Sequence, residues 1–213
     1  MMQSLFDQTG NRKYLVARER IAFVSVAGGR DELVASFCLT LAITGARISE
    51  VLALTPERID AANGAIVFET LKQRRKHVFR AVPVPLRLVE MLGQIQSMPG
   101  KRLWPWGRTN AWKIVKSVMR NAEISERLCM PKALRHAFAI DAGQSSIPLN
   151  IVQRWMGHAR LETTAIYSGA LGEEERNLAR RAWTTLESAF PDQSQHSSCS
   201  QLSIDAAGHV GSS

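Results

Sequence analysis

The sequence is poor in tyrosine, poor in acidic residues and without paired cysteines. Only Tyr14 and Tyr167 carry a phenol. The three cysteines, Cys38, Cys129 and Cys199, lie far apart and form no CxxC pair. That excludes a disulfide framework, and a reducing, cytoplasmic setting is expected. No run reaches the roughly 18 apolar residues that a membrane-spanning helix needs. The opening "MMQSLFDQTGNRKY" lacks the apolar block that marks a secretory signal. Acids number 19 against 27 Lys and Arg, for a net charge of +8. The last basic residue is Arg181, and two acids, Asp192 and Asp205, follow residue 190. The first 190 residues therefore hold all 27 basic side chains against the other 17 acids. A domain with that surplus is a candidate partner for a polyanion, nucleic acid above all. Charge alone leaves a merely soluble basic surface open.

What is present suffices for one domain with a core: 45% of the residues are hydrophobic. Residues 1–11 read as a flexible leader and residues 12–27 as a helix, stopped by Gly28 and Gly29. Asp31 caps "ELVASFCLTLAIT", whose apolar residues recur at helical spacing and place Cys38 in the core. Gly45 breaks that helix just before Arg47, and "ISEVLAL" forms a short one. The period then changes. Ala65–Thr70 and His77–Val84 are rich in Val, Ile and Phe and read as an antiparallel hairpin. The basic run Lys72–Lys76 joins them, and Pro83 and Pro85 close the second strand. Helices follow over residues 86–97, from a Thr109 or Asn110 cap to Asn121, from Pro131 to Gly143, and from Pro148 to Gly157. Another carries Tyr167. A last helix, "EEERNLARRAWTTLESAF", opens with acids in its first turn. Residues 191–213, rich in Ser and Gln, read as a disordered tail. The fold class is α+β, mostly helical.

Two arginines sit against apolar neighbours: Arg47 in "ITGARISEVLAL" and Arg135 in "PKALRHAFAI". A buried guanidinium must be paired or hydrogen-bonded. One such residue is satisfied by a structural ion pair. Two of them, with His158 after a glycine turn, suggest a shared anion, since the planar fork matches phosphate oxygens. Tyr167 follows His158 by nine residues in "MGHARLETTAIY".

The blocks "TGARISEVLAL", the Lys72 hairpin, "LRHAFAI" and "MGHARLETTAIY" stand in one order. In this the chain resembles the tyrosine recombinase (phage integrase) family, whose chemistry the type IB topoisomerases share. The likeness runs from about Arg12 to Tyr167. It implies a catalytic domain, over residues 12–190, that breaks and rejoins double-stranded DNA without metal, ATP or other cofactor. A tyrosine hydroxyl attacks a phosphodiester, leaving a 3′-phosphotyrosyl link and a free 5′-hydroxyl. By the resemblance Tyr167 is the nucleophile, Arg47 and Arg135 clamp the non-bridging oxygens, and His158 adds a donor. Lys72 protonates the leaving 5′-oxygen. Arg74, Arg75 and Lys76 compete for that role within the same run. Lys72 is preferred for its distance from Arg47 and its place at the end of the first strand. The other three then supply salt-sensitive contacts to backbone phosphates.

The family usually has histidine three residues before the second arginine, where this chain has Lys132. A lysine with an ordinary pKa is no proton acceptor at neutral pH, so Lys132 is read as an electrostatic contact to the phosphate or to Tyr167. His136 is expected to be buried behind the site, and Trp155 to pack beside His158. Trp104, Trp106 and Trp112 are read as packing residues, with base stacking as the alternative. A separate helical domain usually precedes such a catalytic domain, whereas here 46 residues precede Arg47 and read as the opening helices of the catalytic domain itself. A short form is therefore expected, like the fimbrial phase-switching invertases, with weak DNA binding alone. It would be helped by a partner recombinase, a DNA-bending protein or tetramer formation. Residues 172–190 could dock in cis or be exchanged between subunits. Site-specific recombination (integration, excision or inversion) is the first reading. Topoisomerase-like relaxation and a non-catalytic DNA-binding accessory are the alternatives.

Overall fold

The structure, a computed structural model, describes residues 7–70, 78–145, 147–157, 179–183 and 186. Helix α2 (Glu32–Thr44) is the centre of the packing, touching α1 (Ala17–Gly28), α3 (Ile48–Leu52), α4 (Leu86–Gln94) and α6 (Pro131–Gln144). Its residues from Val34 to Thr44 are all buried, as expected of a helix apolar on every side. Each of its large side chains, Phe37, Leu39, Leu41 and Ile43, contributes about 2 kcal/mol by leaving water. The polar residues on this buried helix satisfy themselves. Ser36 donates to the Leu33 carbonyl at 3.1 Å, Thr40 to Ser36 at 2.7 Å and Thr44 to Thr40 at 2.6 Å. Asp31 caps the helix as expected, its carboxylate accepting from the Val34 N–H at 3.1 Å. Cys38 is in the core, where burial pushes its thiol up.

Gly45 ends α2 in the left-handed region at φ 60°. A Cβ there would lie 2.5 Å from the Phe138 ring of α6. Glycine is thus required both by conformation and by space, and the turn delivers Arg47 to the start of α3.

The hairpin is present and gains a strand. Ala65–Glu69 (β2) pairs antiparallel with Phe79–Pro83 (β3) in the register Ala65↔Pro83, Val67↔Ala81 and Glu69↔Phe79. The two-residue strand Ile59–Asp60 (β1) adds to the other edge of β2. It was not expected, because two residues carry no periodicity. Two helix starts also differ from expectation. Helix α1 begins at Ala17, not Arg12, because Glu19 caps it, accepting from the Val16 N–H at 2.9 Å and from both Arg12 terminal nitrogens at 2.6 Å. Helix α5 (Arg108–Asn121) starts before Thr109 and Asn110. The Gly107 carbonyl already accepts from the Ala111 N–H at 3.0 Å.

The packing reading holds for Trp104 and Trp106, which meet the edge or face of Phe37 at centroid distances of 5.1 and 5.5 Å. Trp104 also donates to the Leu33 carbonyl. Trp112 is half-exposed beneath Lys116. Helix α7 (Leu149–Met156) packs on α6 and β3 and ends at Gly157, again left-handed at φ 63°. Further along, Ala179, Ala182, Trp183 and Leu186 are buried within the single chain. Among the described residues, no helix is long and apolar enough to cross a membrane.

Candidate active site

Arg47 is the residue just ahead of α3, and its side chain remains about a quarter exposed. Glu50, three residues on and wholly buried, turns that arginine into a fixed group. One carboxylate oxygen accepts from the Arg47 terminal nitrogen at 2.7 Å. The other accepts from the Arg47 backbone N–H at 2.9 Å and from Arg80 of β3 at 2.6 Å. Both ends of Arg47 are thereby held by one side chain.

Arg135, on α6, is buried and donates to two main-chain carbonyls, Gly45 at 2.6 Å and Met156 at 2.6 Å. It fastens the turn before Arg47 to the end of α7. A guanidinium has five N–H donors, and the described residues use two of these, leaving donors for an anion. Met156 is in the last turn of α7, where carbonyls lack helical partners and a cation is favoured.

Arg47 and Arg80 thus bond one carboxylate, and Arg135 lies near enough to feel its charge and theirs. Burial, then repulsion from Arg47, pushes the Arg135 guanidinium down to about 9, against the pull of Glu50. It remains charged at neutral pH. Burial would raise the Glu50 carboxyl. The charge of Arg80 and the hydrogen bonds from Arg47 and Arg80 outweigh that and hold it below the ordinary range. Among the described residues, three cations against one anion in a partly dry site form a place where added negative charge is stabilised.

Lys132 is exposed in the first turn of α6, one turn before Arg135. His136 is buried as expected. Its ring is pushed toward the neutral form by burial and by the charges of Lys132 and Arg135, and its Nε2 has no partner among the described residues. Trp155 is buried, 6.5 Å from the Phe138 ring, and its carbonyl faces Arg80. The expected site residues Lys72, Arg74, Arg75, Lys76, His158 and Tyr167 lie outside the described residues, as does the tail 191–213. Thr70 and Gly157, which lead into these stretches, are described. Among the described residues no three metal-ligating side chains converge.

Sequence reasoning missed Glu50 and Arg80. Both carried a signal. Glu50 is at the i+3 position from Arg47, where side chains meet on a helix. Arg80 shares the inward face of β3 with Val82, a charge at an apolar position of a period-2 pattern.

A profile of the phage integrase family matches residues 27–173. The chain belongs to that family. The tyrosine recombinase XerD of Shewanella oneidensis is 33% identical to this integrase-family chain over 136 residues, 59% of this chain and 45% of that protein. The tyrosine recombinase XerA of Pyrococcus furiosus is 30% identical over 168 residues, 72% of this chain and 54% of XerA. The chain spans about half the length of these curated relatives. The fold is shared with the XerH site-specific recombinase solved bound to its difH substrate before cleavage. The TM-score there is 0.59 at 20% identity, over 84% of this chain and 59% of XerH.

Proposed function

We propose that this chain is a site-specific recombinase that cleaves and rejoins double-stranded DNA through Tyr167. The observation that carries the reading is the surplus of arginines. Arg47 and Arg135 come from segments 88 positions apart in the sequence, yet they share one buried carboxylate's neighbourhood and keep donors to spare. A phosphodiester supplies the missing negative charge, and more of it develops as phosphorus becomes pentacoordinate. In this reading the Tyr167 oxygen attacks phosphorus while the bond to the 5′-oxygen breaks. The tyrosine proton is lost to solvent or a basic neighbour, and Lys72 gives a proton to the leaving oxygen. His158 donates to a non-bridging oxygen, and Lys132, exposed beside Arg135, adds charge at the rim. Arg74, Arg75 and Lys76 bind backbone phosphates. The ester retains the bond energy, so reversal rejoins the strand.

The proposal extends to assembly. Residues 12–190 act as the catalytic domain, and several copies, a tetramer in the full reaction, meet on DNA with a partner recombinase or bending protein. Ala182, Trp183 and Leu186, buried within one chain, support cis docking of the last helix in the absence of DNA.

Covalent trapping tests the chemistry. The protein is incubated, without metal or ATP, with nicked suicide duplexes from the flanks of its own gene. A denaturation-resistant adduct is expected for the wild type and none for Tyr167→Phe. No adduct from the wild type, with a DNA-bending protein present, would move the chain to a non-catalytic accessory role.

A further inference from the structure

Arg80 is a buried cation outside the expected catalytic set. Among the described residues its side chain makes three hydrogen bonds, against one for Arg47 and two for Arg135. Its Nη2 donates to Glu50 at 2.6 Å, its Nε to the Trp155 carbonyl at 2.7 Å and its Nη1 to the Thr70 hydroxyl at 3.1 Å. Each partner borders a different catalytic segment. Glu50 holds Arg47. Trp155 is in the last turn of α7, three residues before His158. Thr70 is two residues before Lys72. Gly157 seals the arrangement: a Cβ at that position would lie 2.9 Å from Arg80 Nη1 and 3.0 Å from its Cζ. The absent side chain lets the α7 turn sit directly on the guanidinium.

We infer that Arg80 is a positioning residue that sets Arg47, the His158 turn and the base of the Lys72 segment relative to one another. The inference rests on the proposed strand-cleaving role. Stability alone does not account for a buried guanidinium shared by three acceptors, because apolar replacements of buried ion pairs are commonly neutral or better. Geometry does, since a displacement of about 1 Å at a reacting centre costs on the order of 100-fold in rate. A lysine at this position has one nitrogen and cannot span acceptors on three elements.

The test compares wild type, Arg80→Lys and Thr70→Val in single-turnover cleavage, with DNA affinity and melting temperature measured on the same samples. For Arg80→Lys the cleavage rate constant is expected to fall about 100-fold while DNA affinity changes by less than about twofold, well under one decade of binding energy. Thr70→Val removes one of the three connections and keeps the fold even if Arg80→Lys does not. A fall of several-fold is expected, restored by a 5′-bridging phosphorothiolate whose sulfur leaves without a proton. In Arg80→Lys the same substrate restores the rate only in part, because Arg47 is also displaced. A loss of adduct yield at unchanged rate constant, or an unchanged rate in both folded variants, would overturn the inference.

A readout independent of cleavage separates this inference from the functional reading. Arginine side-chain NMR should show the Nε–H signal of Arg47 shifted in Arg80→Lys and that of the remote Arg20 unmoved. If the wild type forms no adduct but Arg47 shifts, the strand-cleaving reading fails and the positioning role stands. If the wild type cleaves and Arg47 does not shift, the positioning role fails.

Discussion

Two buried arginine clusters hold this chain together, and they differ in charge balance. In the first, Arg20 of α1 is almost fully buried, pairs with Asp141 of α6 and donates to the Ala42 carbonyl of α2 at 3.1 Å. One cation meets one anion, and the result ties three helices. In the second, Arg47 and Arg80 share Glu50, and Arg135, held by the Gly45 and Met156 carbonyls, lies near enough to feel the charges of all three. Burial of arginine is common to both and therefore identifies neither as a site. The surplus does. Among the described residues the first pair is balanced, whereas the second places three guanidiniums near one carboxylate, a surplus that an anion would offset.

The sharpest way to break this contrast is to remove a donor from the second cluster. Arg135→Lys is expected to lower single-turnover DNA cleavage about 1,000-fold, the upper range for one lost donor to a developing oxyanion. Full cleavage by a folded Arg135→Lys protein would remove the phosphate-clamp reading. Next comes the single anion. Glu50→Gln removes the one carboxylate that Arg47 and Arg80 bond among the described residues and should destabilise the protein by about 3 kcal/mol, the cost of breaking a buried pair from one side. Urea unfolding reads this directly. The first cluster should behave otherwise. Arg20→Met with Asp141→Leu removes both partners at once and should leave stability within about 1 kcal/mol and cleavage unchanged. A large loss of cleavage there would erase the distinction between the clusters.

The smallest expected effect is in pH dependence. His136 has a lowered pKa in the fold, so the unfolded chain takes up its proton first as pH falls through about 6.5. Stability is full above that range and declines below it, by at most about 1.4 kcal/mol per pH unit. His136→Gln should flatten that slope between pH 7 and 5.5. Glu50 contributes in the opposite part of the scale. Its lowered carboxyl stabilises the fold above the ordinary carboxylate range near 4, and the contribution is lost as pH falls through the lower folded value. Denaturation midpoints that fall equally in wild type and His136→Gln would exclude the histidine contribution.

Much of the fold was legible in the sequence because it is written in local signals. Asp31, Gly45 and Gly157 bound their helices as read, since capping and left-handed turns depend on a few adjacent residues. The hairpin followed from a change of period, but β1 was too short to show one. The Thr109 or Asn110 cap failed because the Gly107 carbonyl closes the first turn without a side chain. At the candidate site, Arg47 and Arg135 stood out because each interrupts an apolar stretch. Arg80 interrupts one too, yet it follows the basic run Lys72–Lys76 and reads as one more surface charge.

The sequence by itself determined several helix ends, at Asp31, Gly45 and Gly157, that the domain carries surplus positive charge, and which family's motifs it holds. Only the tertiary structure decided which arginines are balanced and which are in excess. Two of the three partners of Arg80 lie 30 residues back in α3 and 75 residues on in α7. Charge balance is a sum over neighbours in space, and no local period or spacing records it.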